Sequence, residues 1–339
     1  MANKTARLGD LATYINGYAF KPADWGETGL PIIRIQDLTG NSYQLNRYDG
    51  EYPERIEVNN GDVLISWSAS LGVYVWQRGK ALLNQHIFKV VFDKLPVNKD
   101  YFVFAVEHKL AEMESKTHGA TMKHIVKKDF DGTTIPYPPI EKQAEIADHL
   151  RRITSLIDRQ TEQLLLLDQL VKSRFIELFG DPIKNTQHRP TTAFVNVVTM
   201  QRGFDLPVQD REQSGNIPVY GSNGVLDHHN QAKVCNGGVI TGRSGTIGKV
   251  FYTKGAYWPL NTTLFSVDTH ENNIIYLAHL LRMFNLARFT EGTGVPTLNR
   301  NKFHSAPIID VPIDEQNQFA AFVEQTDKSK LCGKMEVAA

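Results

Sequence analysis

The feature that most constrains this fold is a long helical pattern in the middle of the chain. Residues 141–179 contain neither Gly nor Pro, and their apolar side chains recur at alternating steps of four and three. The stripe consists of Ile146, Leu150, Ile153, Ile157, Leu164, Leu167, Val171 and Leu178, and the polar residues Gln160 and Arg174 fill the two remaining positions of the series. Such a stripe is typical of a coiled-coil seam rather than the broader apolar face of a globular helix. The pattern predicts one long helix that needs a partner strip, supplied either by this chain or by another.

The flanking residues predict where this helix begins and ends. Pro138 and Pro139 stand just before it, and Gly180-Asp181-Pro182 ends it. At about 1.5 Å per residue the helix spans roughly 55–60 Å, which is longer than a typical domain is wide. We therefore expect a connector between separate domains.

The chain before this helix is repeated after it. Five stretches match in the same order at a nearly constant offset, which indicates an internal duplication. The matches are 8–20 with 194–206, which includes Gly17 with Gly203, then 29–38 with 215–224, 60–76 with 236–252, 84–88 with 261–265, and 127–150 with 300–323.

The duplication predicts the order domain, helix, domain, helix, in an α+β protein with two repeated mixed α/β domains. Short β-rich runs occur at 62–65, 239–240 and 250–252, and helical stretches at 101–115 and 274–289. The predicted boundaries are 1–140 for the first domain, 141–187 for the central helix, 188–313 for the second domain, and 314–339 for the second helix and a divergent tail. The second stripe stops near Lys330, and we expect this helix to be truncated there.

Composition restricts the function classes. Lys plus Arg equals Asp plus Glu at 37 each, which counts mildly against a purely electrostatic nucleic-acid binder but allows local basic patches. Cys235 and Cys332 lack the spacing of a disulfide or metal site, and His228-His229 lacks zinc-site spacing, so we expect reduced thiols and neither metal nor cofactor. No apolar run approaches the ~20 residues of a membrane helix, and no signal peptide is apparent, so we expect a cytoplasmic protein with no membrane partner.

Two β-rich domains, each closed by a Pro-hydrophobic signature ending in Gln and followed by a long helix, resemble the specificity subunit of Type I restriction-modification systems. The stretches IPYPPIEKQAEIA and LLLLDQLVKSRFIELFGDP carry the resemblance, which extends from about Leu8 to Lys330. It implies that each domain is a target-recognition domain for half of a split DNA site and that two antiparallel coiled-coil helices set the spacing. It also implies no chemistry in this chain, and docking onto methyltransferase subunits and through them onto a restriction and translocase subunit.

Loop residues are the candidate DNA contacts. Glycines in the segment 242–249 allow close approach to phosphates, and Arg243 has the donors to bridge a guanine. Asn223 has the groups to pair with adenine, although Asn-Gly is also a common hairpin turn. The candidates are Ser66, Trp67, Ser68, Lys123, Lys127, Lys128, Tyr220, Ser222, Asn223, Arg243, Ser244, Arg300 and Lys302. Core packing for Trp67 and solvated charge for the basic loops remain open alternatives.

The stripe itself supplies a candidate subunit interface. Leu164, Leu167 and Val171 are expected to lie in water if the second helix is short, together with Leu170. An exposed strip of this kind drives association, either with another copy of the chain or with a methyltransferase subunit. A rival hypothesis is a scaffold that dimerises or sequesters methyltransferase subunits without directing them to DNA.

Overall fold

The computed structural model describes residues 4–41, 46–116, 126–212, 214–291 and 296–338. It divides into two compact units, Met1–Leu156 and Ile157–Ala339, and the division falls within the long helix. Each unit is described by itself below.

The first unit contains ten strands and four short or medium helices among its described residues. The strands are β1 Thr5–Arg7, β2 Thr13–Asn16, β3 Leu30–Ile33, β4 Arg47–Tyr48, β5 Glu57–Val58, β6 Val63–Ser66, β7 Gly72–Val75, β8 Ala81–Leu83, β9 Ile87–Val91 and β10 Thr134–Pro136. The helices are α1 Leu8–Leu11, α2 Ile35–Leu38, α3 Lys99–Lys116 and α4 Lys127–Gly132. The long helix α5, Ile140–Phe179, begins in this unit and ends in the next.

The second unit repeats these elements. Its strands are β11 Thr191–Ala193, β12 Thr199–Arg202, β13 Ile217–Gly221, β14 Gly224–His229, β15 Gly238–Gly242, β16 Val250–Thr253, β17 Trp258–Pro259, β18 Thr263–Asp268, β19 Thr290–Glu291, β20 Thr297–Leu298 and β21 Pro307–Ile309. Its helices are α6 Phe194–Val197, α7 Ile274–Phe284, α8 Arg300–Phe303 and α9 Ile313–Ala338.

The main sheets of the two units have the same topology. An antiparallel sheet of order β2-β9-β6-β7 corresponds to the sheet β12-β18-β15-β16. A second sheet pairs β3 with β8 in parallel, as β13 pairs with β17. The first and last strands also pair, β1 with β10 and β11 with β21. The duplication predicted from the sequence is therefore confirmed at the level of strand pairing.

Strand register corrects one detail of the sequence match. The sequence paired Asn84 with Asn261, but the equivalent parallel bridges join Tyr18 to Asn84 and Phe204 to Leu260. The sheet register likewise makes Phe88 equivalent to Leu264. Phe88 pairs with the last residue of β2, and Leu264 pairs with the last residue of β12. The prediction was wrong by one residue because the shared Asn and Phe identities drew the match out of register.

The central strands are buried on both faces, which explains their continuous apolar runs. In β6, Val63 and Ile65 pack on the core that contains α3, whereas Leu64 packs on the core of the second sheet. In β15, Val239 packs on the core that contains α7, and Ile240 packs on a separate aromatic cluster. In each unit the central strand, β6 or β15, therefore has a core on both faces, and the loop that follows it starts from a buried strand.

Helices α5 and α9 pair antiparallel within the second unit. Phe319 makes edge contacts with Phe175 and Phe179 at centroid distances of 5.4 and 5.6 Å. Further along, Lys330 Nζ lies 2.6 Å from the carboxylate of Asp168. As residue numbers rise in α9 they fall in α5, so this chain supplies part of the partner strip that the stripe requires.

Two expectations about the helices need correction. Helix α9 continues to Ala338, beyond the end expected near Lys330. Gly333, which follows that expected end, lies within the helix. Val171 was expected in water but is 3% exposed, because it packs in the core of the second unit with α7 and α9. Helix α5 itself agrees with the prediction within one residue.

Candidate nucleic-acid interface

The loop between β15 and β16 folds tightly on itself. A Cβ added at Gly242 would lie 1.8 Å from the carbonyl oxygen of Thr246. Gly245 and Gly248 adopt φ values of +81° and +91°, which a side chain would strain. Glycine is therefore required here by the shape of the loop itself, and approach to phosphates stays a prediction.

Backbone hydrogen bonds fix Arg243 at the mouth of this loop. Its N–H donates to Thr262 at 2.8 Å, and its carbonyl accepts from the N–H of Leu298 at 2.8 Å. Ser244 forms a bridge to Thr297. The loop and the short strand β20, which lie far apart in sequence, are thereby joined.

This junction borders a cavity of about 310 Å³ that three arginines line. Its lining residues are Arg202, Arg243, Leu264, Glu291, Thr297, Leu298, Asn299 and Arg300. Arg300 donates to the carbonyl of Met200 at 3.4 Å. Among the described residues, neither Arg202 nor Arg243 has an ion pair. Cationic donors are thus available to a ligand in this cavity.

Other polar side chains at the cavity are held by an ion pair and by a hydrogen bond to the backbone. Lys302 Nζ forms an ion pair with Oε1 of Glu291 at 2.9 Å. Next to Arg300, burial and the nearby guanidinium lower the pKa of His304. Neutral His304 presents Nε2 to the N–H of Met200 at 3.3 Å, which holds β12 and hence Arg202 beside the cavity.

The turn Ser222-Asn223 adjoins the same loop. It joins β13 to β14 as a two-residue hairpin turn, since Gly221 pairs with Gly224. Lys249 Nζ donates to Asn223 Oδ1 at 2.6 Å. The structure therefore brings Ser222 and Asn223 to the Arg243 loop. It separates Tyr220 from them, because this ring is 8% exposed and packs edge-on against Tyr257.

The equivalent loop of the first unit has a different surface. Ser66 and Ser68 are buried, and Ser66 Oγ donates to the carbonyl of Ser70 at 2.5 Å, so both support the loop rather than face solvent. Trp67 is equivalent to Arg243 because its N–H donates to the carbonyl of His86 just as that of Arg243 does to Thr262. Its ring stacks on Phe88 at a centroid distance of 5.5 Å.

The basic residues of the first unit lie close to this stack. Lys127 Nζ is 5.7 Å from the centroids of both Tyr14 and Phe88, and 3.0 Å from Asp131. Lys128 is exposed. Lys123 lies outside the described residues. Lys127 therefore lies over the aromatic edge of the core of this unit.

The helical strip divides into buried and accessible residues. Leu164 and Leu167 are half-buried, and Val171 is in the core. Leu165, Leu166 and Leu170 are 59%, 54% and 49% exposed. The accessible apolar surface of α5 in the second unit therefore includes leucines outside the 4-3 stripe.

Sequence reasoning missed Arg202, Lys249 and Glu291. A signal existed for Arg202, since it directly precedes Gly203, one of the glycines that repeat. Among the residues that the structure describes, no group of three or more His, Cys, Asp or Glu side chains is placed to hold a metal. None of the described helices has the length and apolarity that a membrane crossing requires.

Comparisons with known proteins identify the family. A model of the Type I restriction modification DNA specificity domain matches residues 2–167 and 196–333. The specificity subunit of the Type I restriction enzyme EcoBI from Escherichia coli is 29% identical over 168 residues, which cover 49% of this chain and 35% of that protein. The matched segment is thus about a third of that relative's length.

Solved structures have the same fold. A Type I restriction-modification S subunit from M. genitalium superposes with a TM-score of 0.66 at 13% identity, covering 99% of this chain and 92% of that one. A chain from a study of assembly and conformational transition in the type I R-M system gives a TM-score of 0.56 at 14% identity, covering 99% and 92%.

The duplicated α/β units and the long connecting helix define the architecture of a two-domain specificity protein. The chain belongs to the family of Type I restriction-modification DNA specificity domains, because the family model matches most of its length in two segments.

Proposed function

We propose that this chain is the DNA-recognition subunit of a Type I restriction-modification complex and that each repeated domain reads one half of a bipartite site. The domains would be 1–140 and 188–313, with 141–187 as the connecting helix and 314–339 as its partner segment. The observation that carries the proposal is the presence of one fold, with equivalent strand register and an equivalent loop, in both units of a chain of this family.

The second domain offers groups that suit DNA. Arg243 and Arg300 line one cavity, and Ser222, Asn223 and Ser244 lie around the same loop. Guanidinium donors bind phosphate oxygens and guanine, and an amide pairs with adenine. These residues are therefore the contacts that we assign to the second half-site, with Lys302 at its edge.

The first domain offers different groups at the equivalent place. Trp67 supplies an apolar surface for a thymine methyl or a sugar, and Lys127 and Lys128 supply cations for phosphates. Because the two loops differ in chemistry, we expect the two half-sites to differ in sequence. Ser66 and Ser68 shape the loop from within, since both are buried.

The long helices would hold the two readers at a set separation. Helix α5 continues without a break from Ile140 to Phe179, and its end is fixed by Phe175 and Phe179 in the core of the second unit. A rigid connector converts protein length into the spacing between half-sites on the DNA helix.

The partners would be methyltransferase subunits and, through them, the restriction and translocase subunit. The exposed leucines of α5, Leu165, Leu166 and Leu170, form the docking surface that we assign to the methyltransferase subunit, and Leu164 and Leu167 lie at its edge. In this proposal the chain itself performs no catalysis and requires no cofactor.

The test is selection from a DNA library. The full chain, co-expressed with a Type I methyltransferase subunit, is incubated with randomised duplexes, and bound DNA is sequenced. We expect a split motif with two defined halves. Binding of the methyltransferase subunit without enrichment of any motif would contradict the proposal and favour the scaffold hypothesis, in which the chain only dimerises or sequesters that subunit.

A further inference from the structure

We infer that Arg202, with Arg243 and Glu291, forms the receptor for the major-groove edge of one G·C base pair in the second half-site. The inference rests on the proposed DNA-reading function and names the group that the cavity recognises. Arg202 acts here as a specificity-determining residue.

The position of Arg202 follows from the sheet. It is the last residue of β12 and pairs with Leu264 of β18, which also lines the cavity. Leu264 in turn pairs with Thr241, two residues before Arg243. Sheet pairing therefore sets Arg202 beside Leu264 on one side, and on the other side the strand that pairs with Leu264 leads within two residues to Arg243.

The donors and acceptors of the cavity match a base pair better than a phosphate. In the major groove, guanine presents the N7 and O6 acceptors and cytosine presents the N4 donor. An arginine fork pairs with N7 and O6, and a carboxylate accepts from N4. Arg202 supplies the fork, Arg243 supplies a second cationic donor beside it, and Glu291 supplies the carboxylate in the same lining.

Glu291 also argues against a phosphate in this position. A phosphate would stand beside a carboxylate of like charge, which costs electrostatic free energy. The ion pair with Lys302 engages Oε1 of Glu291 and leaves Oε2 as an acceptor. A site built for phosphate gains nothing from this carboxylate, whereas cytosine N4 donates to an acceptor of this kind.

The described residues of the first unit do not form this receptor. Trp67 stands where Arg243 does, Asn16 where Arg202 does, and Phe88 where Leu264 does. The stack of Trp67 on Phe88 fills the equivalent position. The G·C preference is therefore specific to the half-site of the second domain.

The experiment uses the complex with its methyltransferase subunit and the motif selected by the wild-type chain. Each guanine of the second half-site is replaced in turn by 7-deazaguanine, which removes N7 and leaves pairing and phosphates intact. We expect one position at which this replacement weakens wild-type binding about tenfold, the effect of losing a good base contact. At that position Arg202→Ala and Arg243→Ala should show little further loss.

Two additional variants sharpen the test. Arg202→Lys retains the charge without the fork, so it should lose the G·C preference and keep the affinity for DNA outside the motif. Glu291→Ala should relax the preference at the same base pair. Arg55→Ala, an exposed arginine of the first unit, serves as the matched control and should leave the second half-site unchanged.

Results that contradict the inference differ from the result that would contradict the proposed function. Equal weakening on all sequences with an unchanged motif would assign the arginines to phosphates and overturn the inference. An unchanged motif with unchanged affinity would remove the cavity from the interface and also overturn it. A wild-type complex with no motif would overturn the proposed function itself.

Discussion

The side-chain oxygen of Gln143 accepts a hydrogen bond from the backbone N–H of Asn98 at 2.9 Å. The amide of the same glutamine donates to the carbonyl of Pro138 at 2.8 Å. In the second unit, Gln316 accepts from the N–H of Asn273 at 2.9 Å and donates to Val311 at 2.8 Å. Both glutamines are buried. The closing signature of each domain thus ties the start of the long helix α5 to the start of α3, and the start of α9 to the start of α7.

Loss of this tie should destabilise the domain. Gln316→Leu leaves the Asn273 N–H and the Val311 carbonyl without their partner, at a cost of about 1–3 kcal/mol. We expect a lower urea midpoint for the second unit, followed by the fluorescence of Trp258 in a chain whose other three tryptophans are replaced by Phe. Gln163→Leu, at an exposed position of α5, is the control. Equal midpoints for the two variants would contradict the prediction.

The contact of α9 with α5 depends on one aromatic residue. Phe319 is fully buried against Phe175 and Phe179. Phe319→Ala should lower the free energy of unfolding of the second unit by about 3–5 kcal/mol, because a large cavity replaces the ring. Thermal unfolding measures the change. Phe319→Leu should recover most of the loss, and an alanine variant as stable as wild type would show that the helices do not depend on this packing.

Acid should destabilise the second unit through His279. Burial first, and then Arg282, lowers the pKa of His279 to about 3. The unfolded chain binds a proton near pH 6.5, so between these values it holds a proton that the folded chain lacks. The contribution of His279 to stability is therefore complete above about pH 6.5 and declines as pH falls toward 3.

A glutamine should remove this dependence. Arg282 Nη1 lies 3.2 Å from His279 Nε2, and Gln retains an acceptor for it. We expect the melting temperature of His279→Gln to fall less than that of wild type between pH 7.5 and pH 5. His149→Gln, on the exposed surface of α5, controls for general acid effects. A wild-type slope in His279→Gln would exclude this residue as the cause.

Salt dependence should distinguish two neighbouring lysines. Lys127 is 3.0 Å from Asp131, whereas Lys128 has no ion pair among the described residues. If both face phosphates, Lys128→Ala should reduce the slope of log K against log salt by about 0.9, and Lys127→Ala by less. The double variant should weaken binding evenly over sequences. A changed motif would instead indicate base contacts.

The leucines of α5 should govern association. Replacing Leu166 and Leu170 with Glu should weaken binding of the methyltransferase subunit, because each buried leucine contributes roughly 1.5–3 kcal/mol. Without that subunit, sedimentation at micromolar concentration should show self-association of the wild-type chain and a monomer of the variant. A dispersed wild-type monomer would contradict self-association, and unchanged methyltransferase binding would move the docking surface elsewhere.

The sequence by itself determined the long helix, the duplication and the alternation of domains and helices. These features are local or repeated patterns. The 4-3 stripe predicts α5 to within a residue, and Gln143 and Gln316 recur at equivalent places because each repeat needs the same tie. Fold class followed from these patterns, and family membership confirms it.

Only the tertiary structure decided which candidate residues reach a surface. Tyr220 and Val171 carry the same sequence signals as accessible residues, yet both are buried, because burial depends on what packs above a strand or helix. The cavity joins Arg202, Arg243 and Arg300 from three distant segments. Sheet register brings these arginines together, and register depends on residues that are far apart in sequence. The match between the repeats was one residue out of register at Asn84, so the sequence alone could not give these pairings.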